Sequence, residues 1–583
     1  MIWRVLVVVG ALPLAGAAHA QTRPAGGWTT LGATLLQRGD WEGAERAFQR
    51  ALGDADSLRA RLELAELRYL KGEYAAAARE FDRFIDRYNR GGRLSSDHLV
   101  LVARAVTRLG ARDPQLFKDA LRAYDEAIAA DSSNLEARVR LGNLFLAKYN
   151  GTEARATFEQ VLKWNPRNGE ALLGLARTAR FEGDAEALDL AQRAVEVNGD
   201  HAPARAFLAE LHLEREELDA AAAEAGRALA VNPASLEGLT VLGAVRFLRH
   251  DSAGFRTVER RVLERYPRPA TFYHGLAELA VRGRLYREAA SFAARAVALD
   301  SVFWPGFAAL GINQLRLGAM ADGRRHLEVA FRGDPYDVLT KNTLDLLDVL
   351  DRYRVARQRG FELAMDTTEA DLLGLYLGPL AREAFDSLTG RYGKAPPPPL
   401  RVEVYSRHAD FSVRTVGLVG LGALGASFGP VIVMDSPSAL PRGEGHWGST
   451  LWHELAHSFH LHLSNHRVPR WLTEGLAVYE ERRARPGWGA GVTPAFLIAF
   501  LRGELHPVSE LSRAFTSPES PQALGHAYYQ ASLVCEMIAR DHGVPALRRI
   551  VEGFAAGSPA DAVFRSALGV EIASAHGIAA TST

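Results

Sequence analysis

Residues 451–481 read LWHELAHSFHLHLSNHRVPRWLTEGLAVYEE and gather five histidines and four glutamates into one short stretch. His453 and His457 stand four residues apart, so on a helix they share a face and both imidazoles reach a single metal ion. Glu454 then stands beside that ion, where its carboxylate can take a proton from water. Zinc suits the task because it is a redox-inert Lewis acid that brings the pKa of a bound water to about 7. A catalytic zinc also needs a third protein ligand and an open coordination position. One known solution requires glycine at 460 and histidine at 463; the chain has His460 and Leu463 there, and that option fails. The other is a carboxylate from the next helix. Pro469 marks the start of that helix, and Glu474 interrupts the apolar run WLTEGLAVY, where a carboxylate is costly to bury unless paired or metal-bound. Glu480 and Glu481 fall where the run turns polar and are read as solvated. His460 either orients a ligand or lines the cleft rim, and His462 and His466 lie toward the helix end, where a cation suits the dipole. All three are read as incidental rather than as ligands.

The elements around this stretch must place it. RVEVYS (401–406) alternates like a half-buried strand, and VIVMDS (431–436) reads as a buried one. Between them, the glycine-rich 417–429 lacks the Gly-Lys-Ser/Thr ending of a phosphate loop. It reads as a mobile lid or substrate-facing loop, or else as a plain hairpin connection. Upstream, residues 351–399 read as a connector: a helix with Leu372, Leu375, Tyr376, Leu380, Ala384 and Leu388 on one stripe, then the stiff APPPP at 395–399.

The region before 350 has a different texture. Asp131, Asn165, Asn198, Asn232, Tyr266, Asp300 and Asp334 follow one another at intervals of 33 or 34 residues, and Pro166, Pro233, Pro267 and Pro335 follow four of them. Helix pairs of small-residue-rich sequence lie between these marks. This period and these marks are those of tetratricopeptide repeats, about nine helix pairs within residues 27–350, with an insertion near Asp113-Pro114. Each pair leaves an apolar face that its neighbour covers, so the array stacks into a curved groove suited to a protein partner. A spacer or a dimerisation surface is the alternative.

The chain has 583 residues, with Lys+Arg and Asp+Glu equal at 69 each. That balance argues against an electrostatic hold on nucleic acid or anionic lipid. Residues 1–20 carry Arg4, an apolar run from Val5 to Leu14 and the small-x-small sequence Ala18-His19-Ala20, the pattern of an export signal cleaved near Ala20. The expected location is periplasmic or secreted, with no membrane span left after cleavage. Cys535, the single cysteine, rules out an internal disulfide. Residues 561–583 read as a disordered tail.

HELAH followed by WLTEGLAVYEE resembles the gluzincin zinc metallopeptidases, and most of all the peptidase MA-like proteins that join tetratricopeptide repeats to such a domain. The resemblance spans roughly residues 360–555. It implies a mainly α chain: a repeat solenoid, then a small α+β zincin-like (thermolysin-like) domain over 400–560. It implies zinc held by His453, His457 and Glu474, with Glu454 as general base. Gluzincins place a tyrosine some fifty residues further on against the oxyanion; GHAYYQASLVCEMIARDHG (525–543) is similar, and Tyr528 aligns better than Tyr529. An ordinary core tyrosine is the competing reading there. The Gly-x-Met-Glu-Asn segment by which aminopeptidases of this kind grip a free amine has no counterpart, so an internal cut in a protein or peptide is the expected reaction. A non-catalytic repeat scaffold and a zinc hydrolase of a non-peptide envelope substrate stand as alternatives, because HExxH chemistry sets the nucleophile and not the substrate.

Overall fold

The computed structural model describes residues 27–54, 57–441, 443, 445–516 and 518–570, so the segment read as an export signal and the extreme C-terminus lie outside the described residues. Nineteen helices come first, α1 (Gly27–Gln37) through α19 (Val338–Leu350), and the first eighteen form nine successive pairs. Local chemistry explains their punctuation. Asp131, Asn165, Asn198, Asn232, Asp300 and Asp334 each end the second helix of a pair, at φ values from −129° to −149°. Each side chain then accepts the backbone N–H two residues on, as in Ser133 N–H to Asp131 at 2.9 Å and Asp200 N–H to Asn198 at 3.0 Å. The recurring residue is therefore an Asx turn that closes one pair and aims the chain into the next. Tyr266 holds the same position without that bond, and its hydroxyl donates instead to the carbonyl of Ala234. At the insertion, Pro114–Leu116 forms a short 3-10 turn.

The array coils far enough to touch itself. Trp41 and Tyr266 meet edge to face at 5.1 Å, Arg112 pairs with Asp300 at 2.8 Å, and Lys148 pairs with Asp334 at 2.9 Å. Its interior carries paired charges: Arg104 meets Glu63 at 2.8 Å and Glu66 at 3.1 Å, and Arg180 meets Glu210 at 2.8 Å and Glu214 at 2.9 Å.

The second region starts earlier than its sequence suggests. Residues read as helical connector include a hairpin, β1 (Arg354–Gln358) and β2 (Phe361–Met365), followed by α20 (Ala370–Tyr392). Then come β3 (Leu400–Tyr405), α21 (His408–Val416), β4 (Gly425–Ser427) and β5 (Val431–Asp435). The sheet order is β1-β2-β3-β5-β4, with β2/β3 and β3/β5 parallel and both outer pairs antiparallel. The expected stripe on α20 is also corrected: Leu372, Leu375 and Tyr376 are 68%, 67% and 59% exposed, while Leu373, Leu377, Ala381, Ala384 and Leu388 are buried. Two apolar stripes compete on that helix, and only the sheet and the histidine-bearing helix packed against it decide between them.

Strand alternation divides the sheet's two faces. Leu363, Val402, Val404, Ile432 and Met434 share a core with α20 and with the helix that bears the histidines. Ala364, Tyr405, Val431 and Val433 face the repeat array, packing with Tyr286, Leu315 and Leu346. Because both faces are covered, β5 is buried along its whole length. Polar contacts tie the regions together: Arg284 donates to the carbonyl of Val468 at 2.9 Å, and the buried Arg414 donates to Leu315 at 3.0 Å while pairing with Glu403 at 2.8 Å. The remaining helices are α22 (Trp447–Leu463), α23 (Arg470–Ala484), α24 (Pro494–Leu501), α25 (Leu511–Thr516), α26 (Pro521–His542), α27 (Val544–Gly553) and α28 (Ala560–Leu568). The last of these is a correction, since 561–568 were read as part of a disordered tail; Val563 and Phe564 pack into the core instead. Among the described residues no helix is long and apolar enough to cross a membrane.

Candidate metal centre

α22 carries His453, Glu454 and His457, and α23 returns beside it with Glu474. The two imidazoles meet through their Nε2 atoms at 3.0 Å. Glu474 Oε2 lies 3.4 Å from His453 Nε2 and 3.3 Å from His457 Nε2. Among the described residues, His453, His457 and Glu474 form the cluster whose ligand atoms, all within 4.8 Å of one another, suit one cation.

The outward nitrogen of each ring is also engaged. His453 Nδ1 lies 2.6 Å from Glu481, and His457 Nδ1 lies 2.8 Å from the hydroxyl of Thr473. Rings held this way keep their Nε2 atoms turned toward the cluster's centre, the arrangement that orients metal-binding histidines. The donor set fits a divalent ion of borderline softness: two imidazoles and one carboxylate. Among the described residues, Arg470, at 3.8 Å from Glu474, is the nearest guanidinium to that carboxylate and is itself exposed.

Burial sets the electrostatics. It pushes the Glu454 carboxyl up to about 8, with the Glu474 and Glu481 carboxylates adding to the effect and His453 opposing it. Burial also disfavours an ionised Glu474, yet the neighbouring imidazoles of His457 and His453 outweigh it and hold that carboxyl well below the usual range. For His453, burial opposes the cation, but the Glu481 and Glu474 carboxylates raise its pKa well above the ordinary value. His457, further from Glu481, is lowered by burial.

Two predicted features are brought in by close packing. A Cβ at Gly425 would come within 2.7 Å of Glu454 Oε1, so the glycine-rich segment places strand β4, at the sheet's edge, directly over this carboxylate. A Cβ at Gly475 would come within 2.6 Å of the Ala531 carbonyl, so only glycine lets α26 approach α23 this closely. That approach carries Tyr528, one turn before Ala531, to 6.4 Å between ring centroids from His453. The Glu474 carboxylate, and then burial, raise the Tyr528 phenol's pKa and keep it protonated. Tyr529 turns away, against Phe496 at 4.8 Å. A cavity of about 260 Å³ opens beside Thr450, one turn before Glu454, lined also by Leu424, Asp435 and His446; a larger one, about 470 Å³, lies in the repeat array between Arg112 and Trp304.

Glu480 and Glu481, read as solvated, are both buried. Glu481 supports His453, and Glu480 accepts from Arg391 at 2.8 Å and from the Tyr392 hydroxyl at 3.1 Å. Glu481 is seven residues past Glu474, and Glu480 seven past Thr473, so each shares a face with a residue at the site, a spacing that alone does not tell a buried face from a solvated one. His460 is wholly buried, His462 is partly so, and His466 sits at the junction with the array, 6.1 Å from the Tyr286 ring.

A tetratricopeptide repeat family model matches residues 29–91. The Protein CTR9 homolog of Arabidopsis thaliana is 32% identical over 166 residues, 28% of this chain and 15% of its own length. Among solved structures, the chain is similar to the APC/C hetero-tetramer Cut9-Hcn1 (17% identity, TM-score 0.34, 52% of this chain and 59% of that one). It is also similar to a tetratricopeptide repeat protein of Thermus thermophilus (18%, TM-score 0.29, 32% of this chain and 100% of that one). A tetratricopeptide repeat protein from Parabacteroides merdae gives 17% identity and a TM-score of 0.30, over 43% of this chain and 97% of that one. The chain thus spans 15% of its curated relative and 59% of the first of these structures. The family model identifies residues 29–91 as tetratricopeptide repeat, and the capped helix pairs carry the same pattern on through the N-terminal region of a mainly helical chain.

Proposed function

We propose that this chain is a zinc-dependent hydrolase of the gluzincin type, acting as an endopeptidase on a protein or peptide that its repeat array recruits. The observation that carries this reading is the convergence of His453 Nε2, His457 Nε2 and Glu474 Oε2 beside a buried Glu454. His453, His457 and Glu474 would hold the ion; bound there, zinc supplies a Lewis acid for a carbonyl oxygen and a more acidic water. The chain's own groups do the rest. Glu454 Oε1, against the edge strand, takes a proton from water and returns it to the leaving amine. Tyr528, kept as a phenol, donates a hydrogen bond to the oxyanion. Among the described strands β4 pairs only with β5, so its outer edge offers backbone groups to an extended peptide lying across Glu454.

Metal analysis and casein cleavage test this reading. The wild type should hold about one zinc per chain, Glu474→Ala should lose it, and Glu454→Gln should keep it while turnover falls roughly 10²- to 10⁴-fold. Full zinc in Glu474→Ala, or undiminished cleavage by Glu454→Gln, sinks the proposal. In a second reading, supported by the tetratricopeptide match, the chain is an adaptor that binds partners and cuts nothing. A wild type that binds zinc but cleaves no protein substrate would favour it.

A further inference from the structure

His460, Tyr392 and Glu480 lie away from the inward-facing atoms of His453, His457 and Glu474, yet they form an unbroken buried chain behind His457. Thr473 Oγ1 lies 2.8 Å from His457 Nδ1 and 3.2 Å from His460 Nδ1. His460 Nε2 lies 3.0 Å from the Tyr392 hydroxyl, which lies 3.1 Å from Glu480 Oε1. Arg391 Nε donates to that same oxygen at 2.8 Å, and Arg483 approaches the other at 3.6 Å.

Donor and acceptor rules give this chain one direction. Glu480, paired with two guanidinium groups, is an acceptor only, so Tyr392 must donate to it. The Tyr392 oxygen therefore accepts from His460, which carries its proton on Nε2. A fully buried imidazole with no carboxylate against either nitrogen is neutral, so His460 Nδ1 is an acceptor. Thr473 donates to it, and the Thr473 oxygen accepts from His457 Nδ1–H. What remains on His457 is a bare Nε2 lone pair facing Glu474 and His453.

We infer that Arg391, Glu480, Tyr392 and His460 act together as a positioning relay that selects the metal-binding tautomer of His457. The inference rests on the metal-centre reading above and adds residues that do not touch the ion. Breaking the relay at Tyr392 removes the acceptor for His460 Nε2–H. The His460 proton is then free to move to Nδ1, Thr473 to reverse, and His457 to present N–H rather than a lone pair to the ion.

The test is zinc affinity, measured by competition with a chelator on the full chain, alongside the visible spectrum of Co²⁺-loaded protein. Tyr392→Phe and Glu480→Gln, the latter able to donate as well as accept, should weaken zinc about 10- to 100-fold with the Co²⁺ band of an unchanged ligand set. Thr473→Ser, which keeps the hydroxyl, should bind as the wild type does. Wild-type affinity in Tyr392→Phe overturns the relay, as does a loss confined to the Tm of the chelator-treated protein, which marks a purely structural role. Should Glu480→Gln fail to fold, Tyr392→Phe decides alone, since it keeps the ring. Failure of the metal centre itself would look different: no zinc in the wild type, or no loss in Glu474→Ala.

Discussion

The repeat array and the C-terminal unit bury charge in opposite ways. In the array, Arg104 is enclosed by Glu63, Glu66 and Glu136, at 2.8, 3.1 and 3.5 Å, so its charge is met in full within the fold. In the C-terminal unit, Glu454 and Glu474 are buried among imidazoles and other carboxylates, with the guanidinium of Arg470 no closer than 3.8 Å to Glu474. The first arrangement is complete without a ligand and is structural. The second is deficient in positive charge, and that deficit is what a cation would relieve.

The comparison can be broken first in the array. Arg104→Met leaves Glu63 without its cation in the interior and Glu66 with Arg108 alone at 3.5 Å, and should lower stability by about 4 kcal/mol in urea unfolding. An unchanged midpoint would mean the array's charges are not held as described. Next is the site in chelator-treated protein. A folded-state Glu454 pKa of about 8 lies above the unfolded carboxyl value, so its contribution is full at low pH and is lost as pH rises toward 8. Stability should fall by on the order of 3 kcal/mol between pH 5 and 8, and Glu454→Gln should flatten that slope.

The junction between the regions should respond with the opposite sign. His466 is pushed down to about 4, by burial first and then by Arg284, Arg287 and Arg467, while it faces the Tyr286 ring. A depressed histidine contributes stability above the unfolded value, and that stability fades as pH falls toward 4. Melting from pH 7 to 5 should show a loss of at most about 2 kcal/mol, absent in His466→Phe. The smallest effect belongs to a single Asx turn. Asn198→Ala removes the bond to Asp200 N–H, 3.0 Å long, and should lower stability by about 1 kcal/mol without altering zinc content.

The two regions also differ in how much could be read in advance. The array's marks are local: an Asn or Asp side chain bonding the backbone two residues on acts the same way wherever it recurs, so the period exposes it. The convergence of the candidate site was legible where helical spacing alone decides, at His453, Glu454 and His457, and where one carboxylate interrupted an apolar run, at Glu474. It was not legible at Glu480 and Glu481. The partners of Glu480, Arg391 and Tyr392, come from the end of α20, about ninety residues earlier in the chain, and a polar patch at a helix end looks alike whether water or another helix faces it. The hairpin at 354–365 was missed for a related reason: β2 finds its partner β3 across the whole of α20.

Repetition, capping residues and the spacing of two histidines are properties of the chain itself, because each depends on groups within a few residues of one another. Which stripe of α20 is buried, which glutamates lose their water and which way the hydrogen bonds run behind His457 depend on groups far apart in sequence. Only packing brings those groups within hydrogen-bond reach, and removal from water then makes their pairing matter.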